Sequence, residues 1–165
     1  MTSRIGSAAT AKTMQRITGP SGIQAGLASL TQGDRSGTVA PELGQIRAQN
    51  VAADLAERSS GVKYPAVNVY CQRIANEQRE KFRKFSGRVF MAVEVRHSQD
   101  RLDGLEGKLQ TYADAVTQTL QGSLGDWGDG MFFGGAYEVA FGAVKHGGQN
   151  FLQAATVTFA LEVSK

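Results

Sequence analysis

Cys71, His97 and Asp100 are the residues of this chain whose types could form a nucleophile, its base and an orienting carboxylate. A thiolate attacks once a neighbouring base has taken its proton, and the base works best when a third group holds its orientation. Cys71 and His97 sit in two different expected strands, so contact would need the ends of neighbouring strands to meet. No family-specific context surrounds Cys71, and a small half-buried position in a strand is an ordinary place for cysteine. A small cysteine-dependent hydrolase is therefore the minor reading, and no catalytic residue is assigned.

The acidic residues offer little more. Asp100, Asp103 and Glu106 fall on one side of an expected helix, and Asp126 and Asp129 flank Trp127, but neither set has the spacing of a calcium loop. The glycines of "GDWGDGMFFGG" lack the lysine of a phosphate loop. No cofactor and no metal are expected. Arg79, Lys81, Arg83, Lys84 and Arg88 are interleaved with Phe82 and Phe85, a composition suited to a single-stranded nucleic-acid surface. Glu77 and Glu80 dilute that run, and the net charge of +3 is short of a strong basic footprint. The run is read as a weak electrostatic lining.

With 165 residues, 41% hydrophobic and 20% charged, the chain suits one globular domain with a real core. Its single cysteine excludes an internal disulfide. No apolar run approaches the ~20 residues that span a bilayer, so no membrane association is expected. All aromatic residues lie from Tyr64 onward, which places the expected core in the second part. Residues 1–40 are read as a flexible or assembly-dependent arm, basic and rich in Ser and Thr at its start, and 41–165 as the domain.

Within the first part, "GPSGIQAGLASLTQG" suggests a short helix capped by Ser21, with Ile23, Leu27 and Leu30 on one face, and "GDRSGTVAPELG" reads as a loop. "QIRAQNVAADLAERSSG" places Ile46, Val51, Ala52 and Leu55 near helical spacing and stops at Ser59, Ser60 and Gly61. "YPAVNVYC" reads as a strand with Val67, Val69 and Cys71 on one face, and "QRIANEQREKFRKFSG" as a charged excursion with a short helix. "RVFMAVEVR" alternates strictly. A long helix then runs from a Ser98 cap, with Leu102, Leu105, Leu109, Tyr112, Val116 and Leu120 along its apolar stripe and Gly122 at its end. "AYEVAFGAV" is a further strand, and "KHGGQN" turns into the terminal strand of Phe151 to Val163.

The expected fold is α+β: a mainly antiparallel four-stranded sheet with a long C-terminal β-hairpin, packed by one long helix and a shorter N-terminal helix. Trp127, Phe132 and Phe133 form an apolar cluster in a Gly-rich connection, a candidate partner contact if it does not fold back on the core. On the hairpin, Tyr137, Val139 and Phe141, with the small Ala154, Thr156, Thr158 and Ala160, are candidates for subunit or tube packing.

"VAADLAERSSGVKYPAVNVYC", "FSGRVFMAVEVRHSQDRLDGLEGKLQTYADAV" and "GGAYEVAFGAVKHGGQNFLQAATVTFALEV" together resemble the tail terminator, or tail completion, proteins of tailed bacteriophages. The likeness covers residues 45–165 and rests on element order, the Tyr-Pro start of the first strand, the strand and helix unit, and the closing hairpin. It implies a virion protein without enzyme activity that assembles as a ring, typically a hexamer, on the head-proximal end of the tail. Such a ring ends tail-tube polymerisation and docks the head connector at the tail-neck junction of the virion, with the host cytoplasm as the place of assembly. The implied partners are sister subunits, the tail tube protein and the connector or stopper, with DNA passing through the lumen without sequence-specific binding. Arg79, Lys81, Arg83, Lys84 and Arg88 would then line a lumen or connector surface. A neck or connector-stopper adaptor of the same particle is the alternative.

Overall fold

Alternation dominates the second half of the chain, and the computed structural model turns it into a sheet with one face made for a core. The structure describes residues 4–32, 38–58, 61–147 and 149–165. Part of the expected loop at 33–37, the helix stop at Ser59 and Ser60, and Gly148 of the expected turn fall outside them. The strands are β1 (Ile46–Arg47), β2 (Ala66–Asn76), β3 (Ser86–Gln99), β4 (Gly125–Gly128), β5 (Met131–Phe141), β6 (Lys145–Gly147) and β7 (Asn150–Ser164). They form a seven-stranded sheet in the order β1-β2-β3-β7-β5-β4, with β6 added against β7. The β1–β2 pair is parallel and the others are antiparallel. The α+β class therefore stands, whereas the simple four-stranded antiparallel sheet is corrected to a larger mixed one.

Register decides the two faces. Val69, Val93, Val157 and Val139 form one row across four strands, and Cys71, Met91, Phe159 and Tyr137 form the next. Successive side chains alternate between faces, so Glu94, Thr156 and Ala140 form a row on the opposite side, as do Tyr70, Ala92, Thr158 and Glu138. The first face is covered by α1 (Ile5–Thr18) and α4 (Leu105–Gln121). The outer helix α2 (Ile23–Leu30) packs on α4, and Gly26 permits the approach, since a Cβ there would meet the Ala115 carbonyl oxygen at 3.1 Å.

The expected arm is corrected here. Residues 5–30 contribute Ile5, Ala9, Ile17, Ile23 and Leu27 to the same core cluster as Val93 and Phe159. Ile5, Ala9, Thr13 and Ile17 recur every four residues along one stripe, all buried. The Thr13 hydroxyl enters the core satisfied, donating to the Ala9 carbonyl at 2.8 Å. The chain therefore does not divide at residue 40. The N-cap of the second helix is Gly22 rather than Ser21, and Leu30 lies exposed beyond its buried face.

Two other expected helices differ. The stretch from Leu43 forms a 3₁₀ turn and then β1, because Ile46 gains a place in the core and a ladder with Val67; only α3 (Ala53–Arg58) remains helical. The charged excursion continues β2 through Asn76, and pairing of Ile74 with Val89 and Asn76 with Gly87 overrides its helix-forming composition. The long helix begins later than its Ser98 cap. Pairing with β7 holds Ser98 and Gln99 extended, the Gln99 amide binds the Arg101 and Asp103 carbonyls at 2.6 and 2.7 Å, and Gly104 at φ 77 opens the helix.

Candidate assembly interface

α1, α2 and α4 lie on one side, and among the described residues most of the other side of the sheet is without cover. Among the described residues its β1 corner is overlaid by 49–58 and 61–64, through the Gln49 amide on Asn68 at 3.0 Å and the Arg96 guanidinium on the Val51 carbonyl. Elsewhere Tyr70, Glu94, Thr156, Thr158 and Ala160 are half-buried by their neighbours on the sheet. Of the hairpin residues expected to pack against a partner, Ala154, Thr156, Thr158 and Ala160 all lie on this open face.

Tyr137 and Val139 do not join them. They face the helices and pack against the core, and the Tyr137 hydroxyl accepts from the Gln121 amide at 2.8 Å. Phe141 is on the same side, exposed toward the end of the strand. The seven hairpin candidates therefore cannot form one surface. The residues of β5 that share the face of Thr156 and Thr158 are Ala140 and Glu138, which strand parity alone identifies.

The aromatic cluster also divides. Trp127 and Phe133 are 5% and 1% exposed, and both rings pack on Phe159 with centroids 5.9 and 5.4 Å away. Trp127 donates its indole N–H to the Ser123 carbonyl at 2.7 Å and lies beneath the Arg16 guanidinium, 4.1 Å from its ring centroid. Lys12 closes the corner by donating to the Trp127 carbonyl at 2.8 Å and pairing with Asp129 at 3.4 Å. The Gly-rich connection is thus a β4–β5 hairpin folded onto the core, and a partner can reach only Phe132, 51% exposed on the open face.

The basic run lies at and beside the β2–β3 turn, where its charges are largely engaged. Arg79 pairs with Glu162 at 2.6 Å, Arg88 with Glu77 at 2.9 Å and Arg83 with Glu80 at 3.4 Å. The Arg88 hydrogen bond is the main cause holding the Glu77 carboxyl below its ordinary range. Lys81 and Lys84 are exposed, as is Phe82, which stands fully in solvent at φ 63. Phe85, by contrast, is buried.

The thiol and imidazole are far apart. Cys71 pairs opposite Met91, six residues before His97 on β3, a separation of about 20 Å at ~3.3 Å per residue. Burial pushes the Cys71 thiol up, away from the thiolate form. His97 instead lies beside Tyr112, with ring centroids 5.5 Å apart. Its pKa is lowered first by burial and then by the charge of Lys108. A cysteine hydrolase built on Cys71 and His97 is excluded by this separation.

The sheet has two open edges. Beyond Asn68, β2 has no outer strand, and beyond Phe133, β5 has none, among the described residues. Their charges differ in sign. The unpaired segment of β2, residues 69–76, carries Arg73 as its one charged residue, and that of β5, residues 134–141, carries Glu138. No protein-family model and no curated protein matches the chain.

Proposed function

We propose that this chain is a structural subunit of a tailed-bacteriophage particle. Copies of it form a ring, of six by the resemblance, at the head-proximal end of the tail, where the ring ends tube polymerisation and offers a docking surface to the head connector. The observation that best supports assembly is the pair of unpaired sheet edges with charges of opposite sign. Unpaired edges are templates for pairing with another chain. Two different surfaces meeting head to tail are what a ring requires, and opposite charge steers them into register.

The small residues Ala154, Thr156, Thr158 and Ala160 on the open face, with Glu138 and Phe132 beside them, complete the surface available to a sister subunit or the tube. The lumen assignment narrows to Lys81 and Lys84, because Arg79, Arg83 and Arg88 spend their charge on neighbouring carboxylates. A lining of this kind lets DNA pass without holding it. The tail-terminator likeness of residues 45–165 supplies the particle and the place in it, the tail-neck junction of the virion.

Electron microscopy of particles assembled without the protein tests the reading. Overlong tails are the expected result. Tails of normal length that fail to join heads would assign the chain to the neck instead, and normal particles would overturn both assignments.

A further inference from the structure

The β1 corner of the sheet encloses a cavity of about 410 Å³ that ring assembly does not use. Its volume falls within the ~300–1,000 Å³ of small-molecule sites. At its sheet wall lies Arg96, only 6% exposed. Its partners across the ladders are Ala66 and Ala154, so the space above the guanidinium is left open by small neighbours. One terminal nitrogen donates to Glu94 at 2.7 Å and to the Val51 carbonyl, while Nε has no partner. A buried N–H without an acceptor is a cost that a native structure ordinarily avoids or uses.

The wall is held in place. The Gln49 amide donates to Asn68 at 3.0 Å, Asn68 donates to Glu94 at 3.4 Å, and the Gln45 side chain is tied at both ends, to the Pro65 carbonyl and the Glu42 N–H. Glu94 is therefore engaged behind the wall. Among the described residues the charged side chains lining the cavity are Arg47, Lys63, Arg96 and Glu42; with Arg96 paired to Glu94, the excess positive charge comes from Arg47 and Lys63. Beside the polar Gln45, Gln49 and Asn68, the wall has an apolar stretch of Val51, Val62 and Leu55, the last 57% exposed at the rim.

From this pairing of a fixed cationic wall with an apolar one, we infer that the cavity is a binding site for a small amphiphilic organic anion, a carboxylate or phosphate attached to an apolar body. The anionic group sits toward Arg47, Lys63 and Arg96, and the apolar body lies along Val51, Leu55 and Val62. The site uses neither Arg73 nor Glu138 of the open edges, nor the Thr156–Thr158 surface.

Isothermal titration of the full chain with octanoate, octyl phosphate, octylammonium and inorganic phosphate tests it. At least one anionic octyl probe binds, inorganic phosphate binds more weakly, and octylammonium does not bind; the order of the two octyl anions identifies the preferred head group. Lys63→Glu and Arg47→Glu, both at exposed positions, each weaken that binding about tenfold, as expected for loss of one charge-assisted contact, and leave the thermal transition in place. Absence of binding by both octyl anions, equal binding of octylammonium, phosphate binding as tightly as octyl phosphate, or unchanged affinity in both variants would overturn the assignment.

Discussion

The two faces of the sheet are built from the same strands and differ in what one residue of register places on them. Along β7, Val157, Phe159 and Leu161 are buried on the side of the helices, whereas Thr156, Thr158 and Ala160 stand between them on the open side. Leu161 contributes to folding because its whole side chain leaves water. Thr158 already has much of its surface covered by sheet neighbours and still meets solvent, so it contributes little to folding and remains available for assembly.

The most severe way to break this contrast is to strip the covered face. Deleting residues 1–22 removes α1 with Ile5, Ala9 and Ile17 and should cost more than about 5 kcal/mol, comparable to the whole stability of many domains. Circular dichroism should then show no cooperative thermal transition. A truncated protein that melts cooperatively would restore the view of this segment as an arm.

A sharper version compares neighbouring strand positions on opposite faces. Leu161→Ala should destabilise by about 2–5 kcal/mol through lost burial and a cavity, while Thr158→Ala should stay within about 0.5 kcal/mol. Urea unfolding of the two variants measures both. Equal losses would mean that the open face is part of the core.

The smallest effect concerns pH. Burial, and then Lys108, depress the pKa of His97 in the folded chain, so the unfolded chain takes up the proton first. Its contribution to stability is therefore complete above about pH 6.5 and declines as pH falls below it toward the folded value. Lys108 and Tyr112 face the ring from α4, and Gln99 and Gln153, each with an unsatisfied side-chain oxygen, are its polar company on the sheet. In His97→Gln the stability profile measured from pH 7 to pH 5 should be flatter than in the parent; an unchanged slope would assign the acid sensitivity elsewhere.

Strict alternation made β3 and β7 legible in the sequence, and in β7 it set the small Ala154, Thr156, Thr158 and Ala160 together on one face. Parity was also present in "MFF", where Met131 and Phe133 point inward and Phe132 outward, but glycines on both sides disguised a strand as a loop. The N-terminal helix was harder to see because its stripe of Ile5, Ala9, Thr13 and Ile17 is half small or polar. Ile46 and Ile74 misled in the opposite direction: their segments have helical composition, and only the partner strand, distant in sequence, makes them extended. The cavity beside Arg96 was not legible at all, since it depends on residues 42–56 and 61–64 meeting beside Ala66, Asn68 and Arg96.

The open edges carry the central claim, and native mass measurement of the parent chain beside Glu138→Arg, Arg73→Glu and the doubly exchanged protein tests it most directly. The account predicts a closed oligomer for the parent, smaller species for each single charge reversal, and recovery of the oligomer when both charges are exchanged. A monomer for the parent, or one unchanged mass for all four proteins, would contradict it.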